Sequence, residues 1–186
     1  LNGLEQLIKD CVAGKQRALA QLYHIFSPKM YGVCLRYAKD ATEAEDNMQE
    51  GFIKVFNSLN TFRNEGSLEG WIRRIMINVS LEKLRKQHLL YPVEDVSVYD
   101  TVNYSDDVIA KISADDLLKM VQELPPRYRM VFNLYVIEGL SHQEIAEEMS
   151  ITQGTSKSNL ARAREILKKK VQESFGEINA KNNHTA

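Results

Sequence analysis

The sequence predicts an all-α protein of two helical domains joined by a flexible acidic linker. Apolar residues recur at helical spacing along most of the chain, and no stretch alternates with the period of two that a half-buried strand needs. Glycine and proline punctuate these runs at helix-like intervals. Between His88 and Asp115 the periodicity lapses, and six acids there face a single base, Lys111. A segment of net charge −5 repels itself and stays extended. The expected boundaries are 1–87 for the first domain, 88–115 for the linker, 116–175 for the second domain and 176–186 for a disordered tail.

In the first domain, Leu4, Leu7, Ile8 and Cys11 form one helical stripe, which Gly14 ends. From Arg17 onward Leu19, Leu22, Tyr23 and Phe26 continue it, and Ser27-Pro28 offers a cap and first turn for a new helix. Met30, Tyr31, Cys34, Leu35 and Tyr37 carry the apolar face on. Asp40 with Glu43 marks the next helix start. That helix buries Met48, Phe52, Val55, Phe56 and Leu59 and shows Glu43, Asp46, Gln49 and Glu50 on its other side. Such an acidic and polar face suits a solvated surface or docking onto a basic partner, and spacing alone leaves both open.

The stretch from Asn60 to Ser67 is a turn-rich loop holding one aromatic, Phe62. The helix after it turns Leu68, Ile72, Ile75, Met76 and Val79 inward and carries Arg73, Arg74, Asn78, Lys83, Arg85 and Lys86 as its polar set. Trp71 is the only tryptophan. An aromatic among cations after a loop can stack an unstacked base of a single strand, and it can equally be core.

The second domain opens near Ala114. Leu117, Leu118, Val121 and Leu124 form a stripe that Pro125-Pro126 stops. The next helix, with Tyr128, Val131, Phe132, Tyr135 and Val136 apolar, ends at Gly139. Ser141 with Glu144 then forms a capping box, so a short helix starts at His142 with Ile145, Ala146 and Met149 inward. Thr152 caps a longer helix that turns Leu160, Ala163, Ile166 and Leu167 to the core. Its other face carries Lys157, Ser158, Asn159, Arg162 and Arg164, and residues 153–170 hold a net charge of +5. A helix of this shape, held across a partner helix, fits the major groove. Lys and Arg neutralise phosphates there, and Asn and Arg read base edges.

Across all 186 residues the net charge is −1, so nucleic-acid binding has to come from local charge. Cys11 and Cys34 sit among apolar neighbours, and no Cys/His cluster has metal-ligand spacing. No cofactor or metal site is expected. No glycine-rich phosphate loop or nucleophile elbow occurs, and Ser141-His142 is explained by capping, so no catalytic residue is expected. No signal peptide or membrane span is visible, which points to the cytoplasm. The chain opens at Leu1 without Met, so the true start is expected to have been trimmed.

Two long stretches, AEDNMQEGFIKVFNSLNTFRNEGSLEGWIRRIMINVSLEKLRK and LPPRYRMVFNLYVIEGLSHQEIAEEMSITQGTSKSNLARAREIL, resemble the sigma-70 family of RNA polymerase sigma factors. Their order and spacing are similar to the small extracytoplasmic-function (group IV) type, which keeps regions 2 and 4. The resemblance covers Leu4 to about Leu167. It implies that Asp46, Gln49, Glu50 and Phe52 grip the clamp helices of the polymerase β′ subunit. It implies that the loop with Phe62, Arg63 and Asn64 captures a flipped base of the −10 element, which Trp71, Arg73, Arg74 and Asn78 help to melt and read. Thr155, Lys157, Ser158, Asn159, Arg162 and Arg164 would read the −35 element, with Arg127 and Arg129 on phosphates.

Implied partners are core RNA polymerase (β′ clamp helices and β flap), promoter DNA and a cognate anti-sigma factor, often membrane-anchored; no small-molecule substrate is implied. The chain departs from the family's commoner residues at Asn47, Gly51, Leu68, Asn159 and Ala161, which puts the promoter sequence and the clamp affinity in question. The rivals are a homodimeric helix–turn–helix regulator of duplex operators and an adaptor that has lost DNA binding.

Overall fold

The computed structural model describes the backbone of residues 2–90 and 113–182, and the side chains within 3–86 and 113–174. These residues form two compact units that divide between Lys86 and Gln87. The expected linker falls mostly on residues 91–112, outside the described residues, as do the last four of the expected tail.

The first unit holds α1 (Asn2–Val12), α2 (Gln16–Tyr37), α3 (Ala41–Ser58), a 3₁₀ turn (Leu59–Thr61) and α4 (Leu68–Leu90). Gly14 ends the first connection at φ +74°, where a side chain is strained. Asp40 caps α3 by accepting from the Glu43 N–H. Helix α2 is continuous through Pro28, so Ser27-Pro28 does not start a new helix. The burial of Phe26, Met30, Val33 and Cys34 on one face holds the helix together through the missing N–H. Leu4, part of the expected α1 stripe, is 43% exposed.

Leu22, Met30 and Tyr37 of α2, Val55 of α3 and Ile72, Met76 and Val79 of α4 are all buried in the core of this unit. Asn47 and Gly51 of α3 both face α4. Asn47 Nδ2 donates to Ser80 Oγ at 3.3 Å, and a Cβ on Gly51 would lie 2.1 Å from Met76 Sδ. The small residue at Gly51 is what lets Met76 lie against the α3 backbone.

The second unit holds α5 (Ala114–Gln122), α6 (Pro126–Phe132), a π turn (Asn133–Ile137), α7 (His142–Met149) and α8 (Gln153–Asn182). Ser113 caps α5 by accepting from the Asp116 N–H, and Pro126 opens α6 where its missing N–H is no loss. Helix α8 packs against α5, α6 and α7. Met120, Val121 and Leu124 meet Ala163, Leu167 and Val171 in its core, with Tyr128, Phe132 and Ile166 packed alongside. Val171 is thus a core residue, and α8 remains helical to Asn182 where a disordered tail was expected from 176.

The π turn was not legible as such. Asn133 Nδ2 donates to the Arg129 carbonyl at 3.0 Å, and the Glu138 N–H reaches five residues back to the Asn133 carbonyl at 3.0 Å. A side-chain amide competing for a helix carbonyl is a physical reason for the wider turn. Gly139 then reverses the chain at φ +73°.

Candidate nucleic-acid and partner interfaces

The outer face of α3 carries Asp46 and Gln49 exposed and Glu50 half-buried. Ile53 is 60% exposed, three residues beyond Glu50 and one turn beyond Gln49. The sequence reading missed this exposed apolar side chain, because Ile53 there passes for a flank of the core stripe. Glu50 lies 3.7 Å from Lys54 Nζ and 3.9 Å from Lys83 Nζ, and Lys54 pairs with Glu82 at 2.6 Å. Glu50 is thus already neighboured by two bases. Phe52 is corrected: it is 2% exposed, with its ring 4.7 Å from Tyr23 and 5.9 Å from Phe56, so it is core and offers no surface. Asn47 and Gly51 likewise face inward, so their departure from the family pattern bears on packing against α4.

The loop before α4 forms an open cleft of about 460 Å³ lined by Thr61, Phe62, Arg63, Glu65, Gly66, Ser67, Gly70 and Trp71. That lies within the range of about 300–1,000 Å³ usual for ligand sites. Backbone chemistry shapes it: Asn64 at φ +59° and Gly66 at φ +155° turn the loop, and Ser67 Oγ accepts from the Gly70 N–H at 3.0 Å to start α4. Phe62 and Trp71 stand with ring centroids 5.6 Å apart, tilted by 52°. Both are half-buried, so each ring shows one side to the cleft or to water. Arg63 and Asn64 are exposed beside them. Arg74 and Asn78 follow Trp71 by three and seven residues and share its stripe on α4, whereas Arg73 lies off it.

In the second unit the capping box is complete. Ser141 Oγ accepts from the Glu144 N–H at 3.2 Å, and the Glu144 carboxylate accepts from the Ser141 N–H at 2.8 Å. Ser150 closes α7 in the left-handed region at φ +54°, and Thr152 caps α8 by accepting from the Thr155 N–H at 3.0 Å. This is a helix–turn–helix with α8 as its second helix. Lys157 and Arg164 are exposed, Thr155, Ser158 and Arg162 half-buried, and Arg162 pairs with Glu165 at 2.9 Å.

Two expected DNA contacts do not lie on this surface. Asn159 is 5% exposed, because with Ser156, Leu160, Ala163 and Leu167 it falls on the inward stripe of α8. Arg129 is 4% exposed, and its guanidinium donates to the Gln122 carbonyl at 2.5 Å, closing the end of α5 rather than facing phosphate. Arg127 is half-buried.

A further cluster escaped the sequence reading. The Tyr135 and His142 rings stack at 4.7 Å, His142 Nδ1 shares a hydrogen bond with Ser156 Oγ at 2.9 Å, and the Arg164 guanidinium lies 5.7 Å from the Tyr135 ring centroid. Burial, then the charges of Lys157 and Arg164, hold His142 below its usual range, so the ring is neutral near pH 7. No local signal joins residues so far apart in sequence.

Among the described residues no group of three His, Cys, Asp or Glu could hold a metal ion, and no helix is long and apolar enough to cross a membrane. Cys11 and Cys34 are free and buried.

An aromatic cleft on one helical unit and a basic-faced helix–turn–helix on the other are features suited to binding nucleic acid. Family comparison narrows this. Residues 22–89 match the model of sigma-70 region 2, and residues 114–167 match that of sigma-70, region 4. The chain is 30% identical over 182 residues to the ECF RNA polymerase sigma factor SigW of Bacillus subtilis, covering 91% of this chain and 97% of that protein. It is 30% identical over 178 residues to the ECF RNA polymerase sigma-E factor of Escherichia coli K12, covering 89% and 93%. Its fold is similar to the sigma factor RpoE solved with the anti-sigma factor NepR from Bartonella quintana, with a TM-score of 0.50 and 21% identity over 82% of this chain and 96% of that one. The chain belongs to the sigma-70 family of RNA polymerase sigma factors, of the extracytoplasmic-function type. It is a transcription initiation factor and not an enzyme.

Proposed function

We propose that this sigma factor divides its work among three surfaces. Asp46, Gln49, Glu50 and the exposed Ile53 dock onto the β′ clamp helices of core polymerase. The Phe62–Trp71 cleft, with Arg63, Asn64, Arg74 and Asn78 around it, captures a base extruded from the −10 element. Lys157, Arg162 and Arg164, with Thr155 and Ser158, meet the −35 duplex, and Arg127 adds a phosphate contact. The second unit also meets the β flap.

The observation that carries this reading is the cleft itself. Two aromatic rings in van der Waals reach of each other line an opening of nucleobase scale, beside an exposed arginine. Stacking an extruded base on such rings is worth about 1–3 kcal/mol, which helps offset the cost of opening the duplex. The second unit alone offers few phosphate contacts, so its affinity for DNA is weak and salt-sensitive. Joined on one polymerase, the two units gain from effective concentration. The chain works in the cytoplasm, and an anti-sigma factor, membrane-anchored in the manner usual for the type, restrains it by covering these faces. Such a regulator accompanies the similar Bartonella protein.

The test is transcription reconstituted from sigma-free core polymerase, this chain and fragments of its own genome, with permanganate footprinting. Discrete start sites, each with an opened −10 region that Phe62→Ala and Trp71→Ala close, are the expected result. Specific duplex binding by the chain alone, without start sites, would replace the reading with that of a dimeric regulator.

A further inference from the structure

The contacts around Tyr135 join three elements that the sequence keeps apart. Tyr135 stands in the π turn, His142 is the first residue of α7, and Ser156 and Arg164 lie on α8. His142 is tied to α8 through Ser156 at 2.9 Å and stacks on Tyr135 at 4.7 Å with 24° between the ring planes. The same tyrosine ring takes the Arg164 guanidinium at 5.7 Å, inside the roughly 6 Å reach of a cation–π contact. An exposed arginine on a helix otherwise samples many rotamers, and each must be frozen when it binds. The Tyr135 ring, stacked on a His142 that is itself hydrogen-bonded to Ser156, restricts that freedom beforehand.

We propose that Tyr135 is a positioning residue for duplex recognition: with His142 and Ser156 it forms a clasp that aims the Arg164 guanidinium off α8 before DNA arrives. This rests on the reading of Arg164 as a DNA contact. The π turn is part of the device, since its wider pitch sets the angle at which Tyr135 leaves the chain. The neutral state of His142 also fits, because an imidazolium there would compete with Arg164 for the ring face and repel Arg164 and Lys157. Tyr135 itself need not touch DNA.

Holoenzyme assembled from core polymerase and the full chain, with promoter fragments found by start-site mapping, tests this at one fixed salt concentration. Tyr135→Leu keeps apolar bulk and removes the π face, and it should weaken promoter binding by about three- to fivefold. Tyr135→Phe keeps the face and should stay within about twofold of the parent. Arg164→Ala should weaken binding at least as much, and adding Tyr135→Leu to it should cost less than about twofold more. Melting temperatures of all variants are compared, so that lost folding is seen as such. Equal losses from Tyr135→Leu with and without Arg164, or no loss at all, would overturn the clasp and leave the three-surface reading intact. An unaffected Arg164→Ala would overturn both the clasp and the assignment of Arg164 to DNA.

Discussion

Gly51 leaves no room for a methyl group, since a Cβ would lie 2.1 Å from Met76 Sδ. Alanine gains about 1 kcal/mol over glycine in a helix interior. Overpacking a filled core costs about 1–3 kcal/mol, and Met76 is fully buried with little space to retreat. Gly51→Ala should therefore be neutral to destabilising by up to about 2 kcal/mol in denaturant unfolding of the first unit; a clear gain in stability would show that Met76 repacks freely. Cys34 supplies a pH test. Burial pushes its thiol up to about 12, against smaller opposing effects of Lys83 and Arg36. A group raised on folding contributes stability below its unfolded pKa and loses it as pH rises toward the folded one. From pH 9 upward the unfolded thiolate forms while the folded thiol does not, so stability should fall by about 1–2 kcal/mol between pH 8 and 10.5. Cys34→Ala should flatten that part of the profile. Exposure was legible where residue type and register agreed, as at Lys157, Arg164 and Asp46. It was not legible at Asn159 and Arg129, where polar residues lie at inward positions and are buried for packing or for closing a helix end.

Helix α2 is intact despite Pro28, which cannot donate to the carbonyl four residues back. Pro28→Ala should restore that bond and raise the midpoint of thermal unfolding, by about 1–3 kcal/mol in stability; a lowered midpoint would mean that the ring itself packs usefully. Helix starts were the most legible elements, because Asp40, Ser141 and Thr152 each announce a cap in one or two residue types. The run through Pro28 was misread because tertiary burial of one continuous face outweighs a local breaker. The π turn and the helical extension to Asn182 have no comparable marker. One depends on the Asn133 side chain finding a helix carbonyl, and the other begins where Val171 reaches a core formed by distant helices.

On the scale of the whole chain, the first unit shows an acidic face on α3 and the second a basic one on α8, within a net charge of −1. Their functions should separate accordingly. Asp46→Ala with Ile53→Ala should lower affinity for core polymerase by tenfold or more, on the order of 1–2 kcal/mol, and leave duplex binding of preformed holoenzyme unchanged. Lys157→Ala with Arg162→Ala should weaken promoter binding, reduce its salt slope by about one to two, and leave polymerase affinity unchanged. Fluorescence titration of labelled core separates the two effects, and equal damage from either pair in folded protein would refute the division. The all-helical, two-unit plan was readable from periodicity and from one acidic gap. The cleft was readable only as an aromatic loop, since it is shaped by the turn at Asn64 and Gly66 and by Phe62 lying beside Trp71.

Helix α8 begins with the side chains proposed to meet DNA and runs 30 residues without a break. At 1.5 Å per residue that is a rod of about 45 Å. A tilt of about 5° about its first turn would carry the far end through several ångströms. A fluorophore or spin label placed at its distal end would display, as a readable angle, how firmly the protein has seated itself on a promoter.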